Sequence, residues 1–324
     1  MKPGLLLPPA DVLDPVGVAT TAESLGYGSV WVPELWGADA FVQLGAVADA
    51  TDDVRVGTAI ANVFSRSPAV LAMAAATVDR YSDGRMTLGT GVSTPKAIED
   101  LHGVAYDRPV RRSHEVIEVV KAYLSDSEER VSYEGEVISV QDFETLGRDV
   151  PVFHAAMGPA NRRVVARLAD GWIPHNIPFP NLEGTFDYIA DHAREADRDP
   201  ADITVAPYVP AAVSDDDPDV ARDAIRGHVA YYVGNGEGYR KAVAERFPDE
   251  ADAVAGNWRE GDRDAAKAAV TDEMVAALGV AGTTEQAREQ LAELQDGPVD
   301  IPIVTVPRQA ADLAMETVQA LAPE

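Results

Sequence analysis

Where short apolar runs of this chain stop, a recurring set of residues follows: Pro8, Glu34, Trp36, Ala59, Ile60, Asn62, Gly91, Ser93, Ala156, His175 and Asn176. Most are small, aromatic or amide-bearing, so together they offer apolar walls and a few hydrogen bonds. That mixture suits a flat, uncharged tricyclic ring better than a metal ion or a phosphoryl group. The segment Ala155-Ala156-Met157-Gly158-Pro159 adds a different chemistry. Gly158 permits close approach and Pro159 fits a first helical turn, so free backbone N–H groups there would bind a phosphate, unless the segment is a plain βα turn. Arg162 and Arg163, which follow, read as solvent charges or salt-bridge partners and are left out of the site. Glu34 is suited to proton transfer if burial beside Trp36 raises its pKa, or else it pairs with an arginine.

Other chemistries lose their usual support. There is no cysteine, hence no disulfide, thiolate nucleophile or Cys-ligated metal. No HxH or HExxH spacing exists, and His102, His154 and His175 each stand alone; as lone residues, the latter two read as satisfied core histidines. Gly89–Thr94 begins like a dinucleotide fingerprint but lacks its third glycine, and no lysine-bearing phosphate loop or GxSxG turn occurs. Fifty-four acidic against 27 basic residues give a net charge of −27. Such a surface repels nucleic acid and anionic lipid. It also fits a halophilic source, where concentrated salt screens charge within about 3 Å.

The elements that must hold these residues are those of one large α/β barrel, a size that 324 residues with 46% hydrophobic content allow. Eight segments qualify as its strands: 3–7, 29–33, 54–60, 86–90, 152–156, 171–174, 203–209 and 301–306. Helical segments separate most of them, as a parallel sheet requires. Asp14 as N-cap, Pro15 at the first helical position and Gly26 as the stop define the first helix, and the second runs from about Ala40 to Ala50. Residues 131–140 read as an inserted hairpin about a Gly turn. Residues 234–282, Ala-rich, acidic and without a clear strand, read as a helical insertion over the barrel mouth, with Gly234–Gly238 as a hinge. No apolar run reaches the length of about 18 residues needed for a membrane span, and Met1-Lys2-Pro3-Gly4 leads straight into a strand. The expected location is cytoplasmic.

GTAIANVFSRSP followed by SDGRMTLGTGVST resembles the luciferase-like flavin and deazaflavin oxidoreductases, particularly the branch using coenzyme F420. The stretches Val30–Thr51, His102–Val120 and Pro151–Pro174 fit the same family in the same order. The resemblance implies a (β/α)8 TIM barrel of the bacterial-luciferase-like type with insertions at its C-terminal face. It implies F420 as cofactor, with FMN monooxygenation as the alternative and a non-catalytic cofactor-binding barrel as a reading of another class. It places a non-prolyl cis peptide at Ala59–Ile60, against which an ordinary trans strand end or a bulge is the plainer account. Glu34 and Trp36 fall in the family's ring-contact region, His102 in a loop that shapes the substrate pocket, and Ser93 beside the ring or its side chain. A small-molecule substrate and a homodimer are expected. Two departures stand out: many relatives place Asp-His where Glu34-Leu35 stands, and Leu6 replaces a Glu of the methylene-tetrahydromethanopterin reductases, which argues against that substrate.

Overall fold

Caps written in the sequence start the early helices. In this computed structural model, which describes residues 2–128 and 130–323, Asp14 accepts from the N–H groups of Val16 and Gly17 to open the helix Pro15–Ser24. Asp39 does the same for Ala40–Ala50, and Ser67, with Pro68 at the first position, for Pro68–Tyr81. Gly26 ends the first helix with φ 90°, a conformation that favours glycine.

The strands are β1 (Gly4–Leu6), β2 (Ser29–Val32), β3 (Arg55–Thr58), β4 (Ala61–Asn62), β5 (Met86–Gly91), β6 (Val131–Glu134), β7 (Ser139–Phe143), β8 (Val152–His154), β9 (Gly171–Trp172), β10 (Thr204–Val205), β11 (Tyr208–Val213), β12 (Val280–Gly282) and β13 (Ile303–Thr305). All pairs but β6–β7 are parallel, in the order β10-β9-β8-β5-β3-β2-β1-β13-β11-β12. Closure comes from the β10–β11 segment. On one side β10 pairs with β9. On the other the Asp300 and Ile301 N–H groups donate to Val205 O and the Ile303 N–H to Pro207 O. The result is an eight-stranded (β/α)8 barrel.

Three details differ from the sequence reading. The expected strand 203–209 is two pieces reaching Val213, because Pro207 has no N–H for a continuous ladder. The expected strand 54–60 stops at Thr58 and resumes as β4, with the Ala59–Ile60 peptide bond cis between them. Residues 237–278 fold as four helices, but β12 follows them and pairs with β11. Three small residues beside Gly279 leave no periodicity from which to read it.

β6 and β7 form an antiparallel hairpin latched by Glu115, a fully buried residue on the helix Pro109–Leu124. Its carboxylate accepts from the N–H groups of Glu136, Val137 and Ile138 and lies 2.7 Å from Arg111. Burial pushes this carboxyl up, but the three N–H donors and the guanidinium outweigh it and hold the pKa below the ordinary carboxylate value.

Inside the barrel, Trp31, Ala59, Phe153, Ile173, Ala206 and Ile303 pack as one cluster, with Leu6, Ile60, Ala155, Tyr208 and Ile301 against it. A cavity of about 370 Å³ lined by Ser29, Arg55, Thr87, Asp170 and Asp202 opens at the N-terminal strand ends. That face of such barrels serves stability, whereas the opposite face carries reactions.

Candidate functional site at the C-terminal mouth of the barrel

At the C-terminal end of β3 the Ala59 carbonyl accepts from the Tyr208 hydroxyl across the barrel. Ala59 itself is buried, while Ile60 beyond it keeps accessible surface. Beside it runs β5, where Gly91 makes room: a side chain there would meet Ile60 carbons at 2.9 and 3.0 Å and Ala155 Cβ at 3.3 Å. Asn62 is a brace. Its Oδ1 accepts from Phe64 N at 3.0 Å and Ser65 N at 2.8 Å, and its Nδ2 lies 3.3 Å from His102 Nε2. Ser93 follows β5 with φ 57° and is half-buried. Ala59, Asn62, Gly91 and Ala156 are therefore enclosed and shape the site, whereas Ile60, Ser93, Ala155 and Met157 present surface to it.

Glu34 takes the ion-pair alternative. Both of its oxygens engage Arg66, Oε1 also accepts from Ala40 N at 3.1 Å, and Arg66 reaches Asp39 as well. Three donors thus fix this carboxylate in place, the arginine-paired alternative to the proton-transfer role. Trp36, expected in the ring-contact region, is 55% exposed. His102 is half-buried and belongs to the Asn62 brace.

The turn Ala155–Pro159 is pinned from both sides: Ala155 N donates to Thr90 O and Ala156 O accepts from Trp172 Nε1 at 2.7 Å. Gly158 N-caps the helix Pro159–Leu168 without a side-chain cap, so the first N–H groups of that helix have no side-chain acceptor. Arg162, read from sequence as a surface charge, is 8% exposed. Its Nε and Nη2 are buried without hydrogen-bond partners, its carboxylate neighbour Glu245 stands 3.9 Å away, and burial lowers its pKa.

A second group gathers around His175, made of side chains that the sequence reading did not bring together with it. His175, after β9, lies with its ring centroid 4.6 Å from Tyr208, 4.5 Å from Tyr232 and 5.3 Å from Tyr239. His228 stands 6.2 Å from His175 and 4.8 Å from Tyr232. The Pro218–Asn235 helix supplies His228 and Tyr232, one turn apart on one face, and Tyr239 comes from the next helix, Glu237–Ala244. The glycines expected to act as a hinge instead admit rings: side chains at Gly234 and Gly236 would collide with Trp258 and Tyr239.

Burial holds both imidazoles neutral, His175 pushed down to about 3, with the His228 charge adding to the effect, and His228 to about 4. Burial also raises Tyr208 and Tyr239 and pushes Tyr232 up to about 12. His175 and Tyr208 are surrounded by protein yet retain accessible surface, as in a recess rather than a filled core. The Nε2 atoms of His175 and His228 and both amide atoms of Asn176 are buried without partners. Each unsatisfied group of this kind costs about 1–3 kcal/mol, so His175 is not the satisfied core histidine expected of it. His154 is satisfied at one nitrogen only: its Nδ1 lies 3.0 Å from Thr90 Oγ1, while its Nε2 too is buried without a partner.

Among the described residues no cluster of three or more His, Asp or Glu could hold a metal ion, and no helix is long and apolar enough to cross a membrane.

Comparison with known proteins agrees with the geometry. A protein of Mycobacterium tuberculosis provisionally named as a coenzyme F420-dependent oxidoreductase is 29% identical over 326 residues, covering 92% of each chain. The coenzyme F420-dependent tetrahydromethanopterin reductase of Methanopyrus kandleri superposes with a TM-score of 0.81 at 22% identity, over 100% of this chain and 97% of that one. An F420-dependent secondary alcohol dehydrogenase, solved with an F420-acetone adduct, superposes with a TM-score of 0.76 at 20% identity over 100% of both chains. Residues 5–300 match the family described as luciferase-like monooxygenase, and the chain belongs to that family.

Proposed function

We propose that this chain is a coenzyme F420-dependent oxidoreductase that passes hydride between the deazaflavin and a small organic molecule. The observation that carries this reading is an uncharged, partly open strip at the barrel mouth formed by Leu6, Ile60, Ala155 and Tyr208. It fits a planar ring with a few polar contacts. The F420-dependent relatives supply the identity of that ring. When bound, the deazaflavin supplies two-electron hydride chemistry, and the protein's task is placement and exclusion of water.

In this reading Ala59 and Ile60 shape the floor and Ser93 contacts the ring or its side chain. Backbone N–H groups at Gly158–Asn161 and the buried Arg162 take the anionic tail. Glu34, fixed by Arg66, positions the loop after β2. Asn62 holds His102 at the pocket's edge. Leu6 stands where a carboxylate would be needed for a pterin substrate, so the substrate is of another class.

The test is turnover. Oxidised F420 mixed with the protein and a panel of small alcohols is expected to lose its absorbance with one carbonyl product formed per cofactor reduced. Oxygen-consuming turnover with reduced FMN, and none with F420, would contradict it.

We also propose a homodimer. Val42 is 76%, Val70 42%, Met73 49% and Tyr81 72% exposed on the neighbouring helices Ala40–Ala50 and Pro68–Tyr81, an apolar face of the kind that a second copy covers. Light scattering should give twice the chain mass for the wild type and a single chain mass for Val42→Glu/Met73→Glu. A wild type that is already monomeric overturns this.

A further inference from the structure

The corner of the recess bounded by His175, His228, Tyr232 and Tyr239 has no part in holding the ring as described above. It combines two buried imidazole nitrogens without partners, the Nε2 of each histidine, with aromatic walls, and none of the groups that shift either imidazole is a carboxylate or an aliphatic cation. Both amide atoms of Asn176, next in the chain, are buried without partners as well. Asn176, 5% exposed, adopts φ 54° directly after His175. A corner so built is costly to leave unpaired, and hydrogen bonds to a ligand offset that cost. It rejects ions, because no opposite charge is in place to offset their desolvation. The surface field of a chain with net charge −27 opposes anions in the same direction.

We propose that this corner is the substrate subsite, that it takes the oxygen of a small uncharged ketone or secondary alcohol, and that His175 is the residue that hydrogen-bonds this oxygen. The proposal rests on the deazaflavin reading and goes beyond it by naming substrate class and residue. In the reducing direction, hydride adds to the carbonyl carbon and a C–H bond forms while the C=O π bond opens onto oxygen. The ketone gains two electrons and the dihydrodeazaflavin loses two. His175, neutral in the tautomer protonated at Nε2, donates a hydrogen bond that stabilises the developing oxyanion, and a proton taken up from solvent at the mouth completes the alcohol. A neutral imidazole suits this task because it polarises a carbonyl without a charge to desolvate. His228 orients the same oxygen, and Tyr232 and Tyr239 flank the alkyl groups. The imidazole thereby replaces, from another strand, the one missing at Glu34-Leu35.

The test has two arms that do not depend on each other. First, ¹⁵N-labelled protein without cofactor is titrated with cyclohexanone and, separately, with 4-oxocyclohexanecarboxylate. The His175 and His228 side-chain resonances should shift with the neutral ketone at least 10-fold more tightly than with the anionic one. Second, F420 affinity and cyclohexanone reduction are measured for wild type, His175→Gln and His175→Ala. Both variants should bind F420 within 3-fold of wild type while kcat/KM falls at least 100-fold. Unmoved imidazole resonances, a preference for the anionic ketone, or kcat/KM within 3-fold of wild type in either folded variant overturns the subsite. Absence of F420 binding by the wild type instead sinks the cofactor reading. Should the variants fail to fold, the wild-type titration still decides.

Discussion

Arg66→Met is expected to lower the melting temperature by several degrees and to weaken cofactor binding about 10-fold. Arg66 is the common partner of Glu34 and Asp39, and Glu34 lies 8% exposed at the side chain against 15% for Arg66. Removing the guanidinium strands a mostly buried carboxylate. Breaking a fully buried pair in this way costs about 3–5 kcal/mol, and this pair at the barrel mouth should lie near the lower end. Asp39 also caps the helix Ala40–Ala50 through Phe41 and Val42, so its loss of restraint loosens the loop that carries residues 34–39. Glu34→Gln in the same background should recover part of the loss, because the stranded charge is gone. A double-mutant cycle followed by thermal melting checks this. Additive effects of the two substitutions would mean that the pair contributes nothing as a unit. If Glu34→Gln alone abolishes turnover with F420 affinity and stability intact, Glu34 is a proton carrier after all.

Two glycines two residues apart on β5 should respond differently to alanine. A side chain at Gly89 would fall well inside contact distance of the Thr58 carbonyl oxygen and 3.0 Å from Ile173, and Thr58 Oγ1 already donates to Gly89 O at 2.7 Å. Backbone in the middle of a closed barrel cannot retreat, so Gly89→Ala should cost about 3 kcal/mol or more and yield little folded protein. At Gly91 the obstacles are the Ile60 carbons at 2.9 and 3.0 Å and Ala155 Cβ at 3.3 Å. Ile60 can give way toward the mouth, so Gly91→Ala should cost about 1 kcal/mol yet weaken ring binding roughly 10-fold, because the displaced side chain enters the strip where the ring lies. Chemical denaturation and cofactor titration on both variants separate the effects. Equal losses of stability, or unaltered cofactor affinity in Gly91→Ala, would show that the strip beside Ile60 is not the ring site.

Local signals made much of the scaffold legible. Asp14, Pro15 and Gly26 mark the first helix because capping and φ preference act within a few residues. β1, β2, β3, β5, β8 and β13 show as β-branched or apolar runs because both faces of a parallel barrel strand are buried. What failed needed long-range information. β12 is too short to read, and β10–β11 is split at a proline that sequence alone cannot place relative to β13. Position also limits the reading of charge. Arg162 resembles any surface arginine until the 240s helix covers it, and Glu34 resembles a catalytic acid until Arg66 arrives from the next βα loop. The His175, Tyr208, His228, Tyr232 and Tyr239 group draws on residues up to 64 positions apart (239 − 175). Only barrel closure and the fold-back of the Pro218–Asn235 helix bring them together.

The account stands on the identity of the ring that the barrel mouth holds. Equilibrium titration of the purified chain with F420 and with FMN, followed by difference absorbance, tests that most directly. It should show micromolar or tighter binding of F420 at about one per chain and no saturable binding of FMN. Tight FMN binding with none for F420 would contradict it.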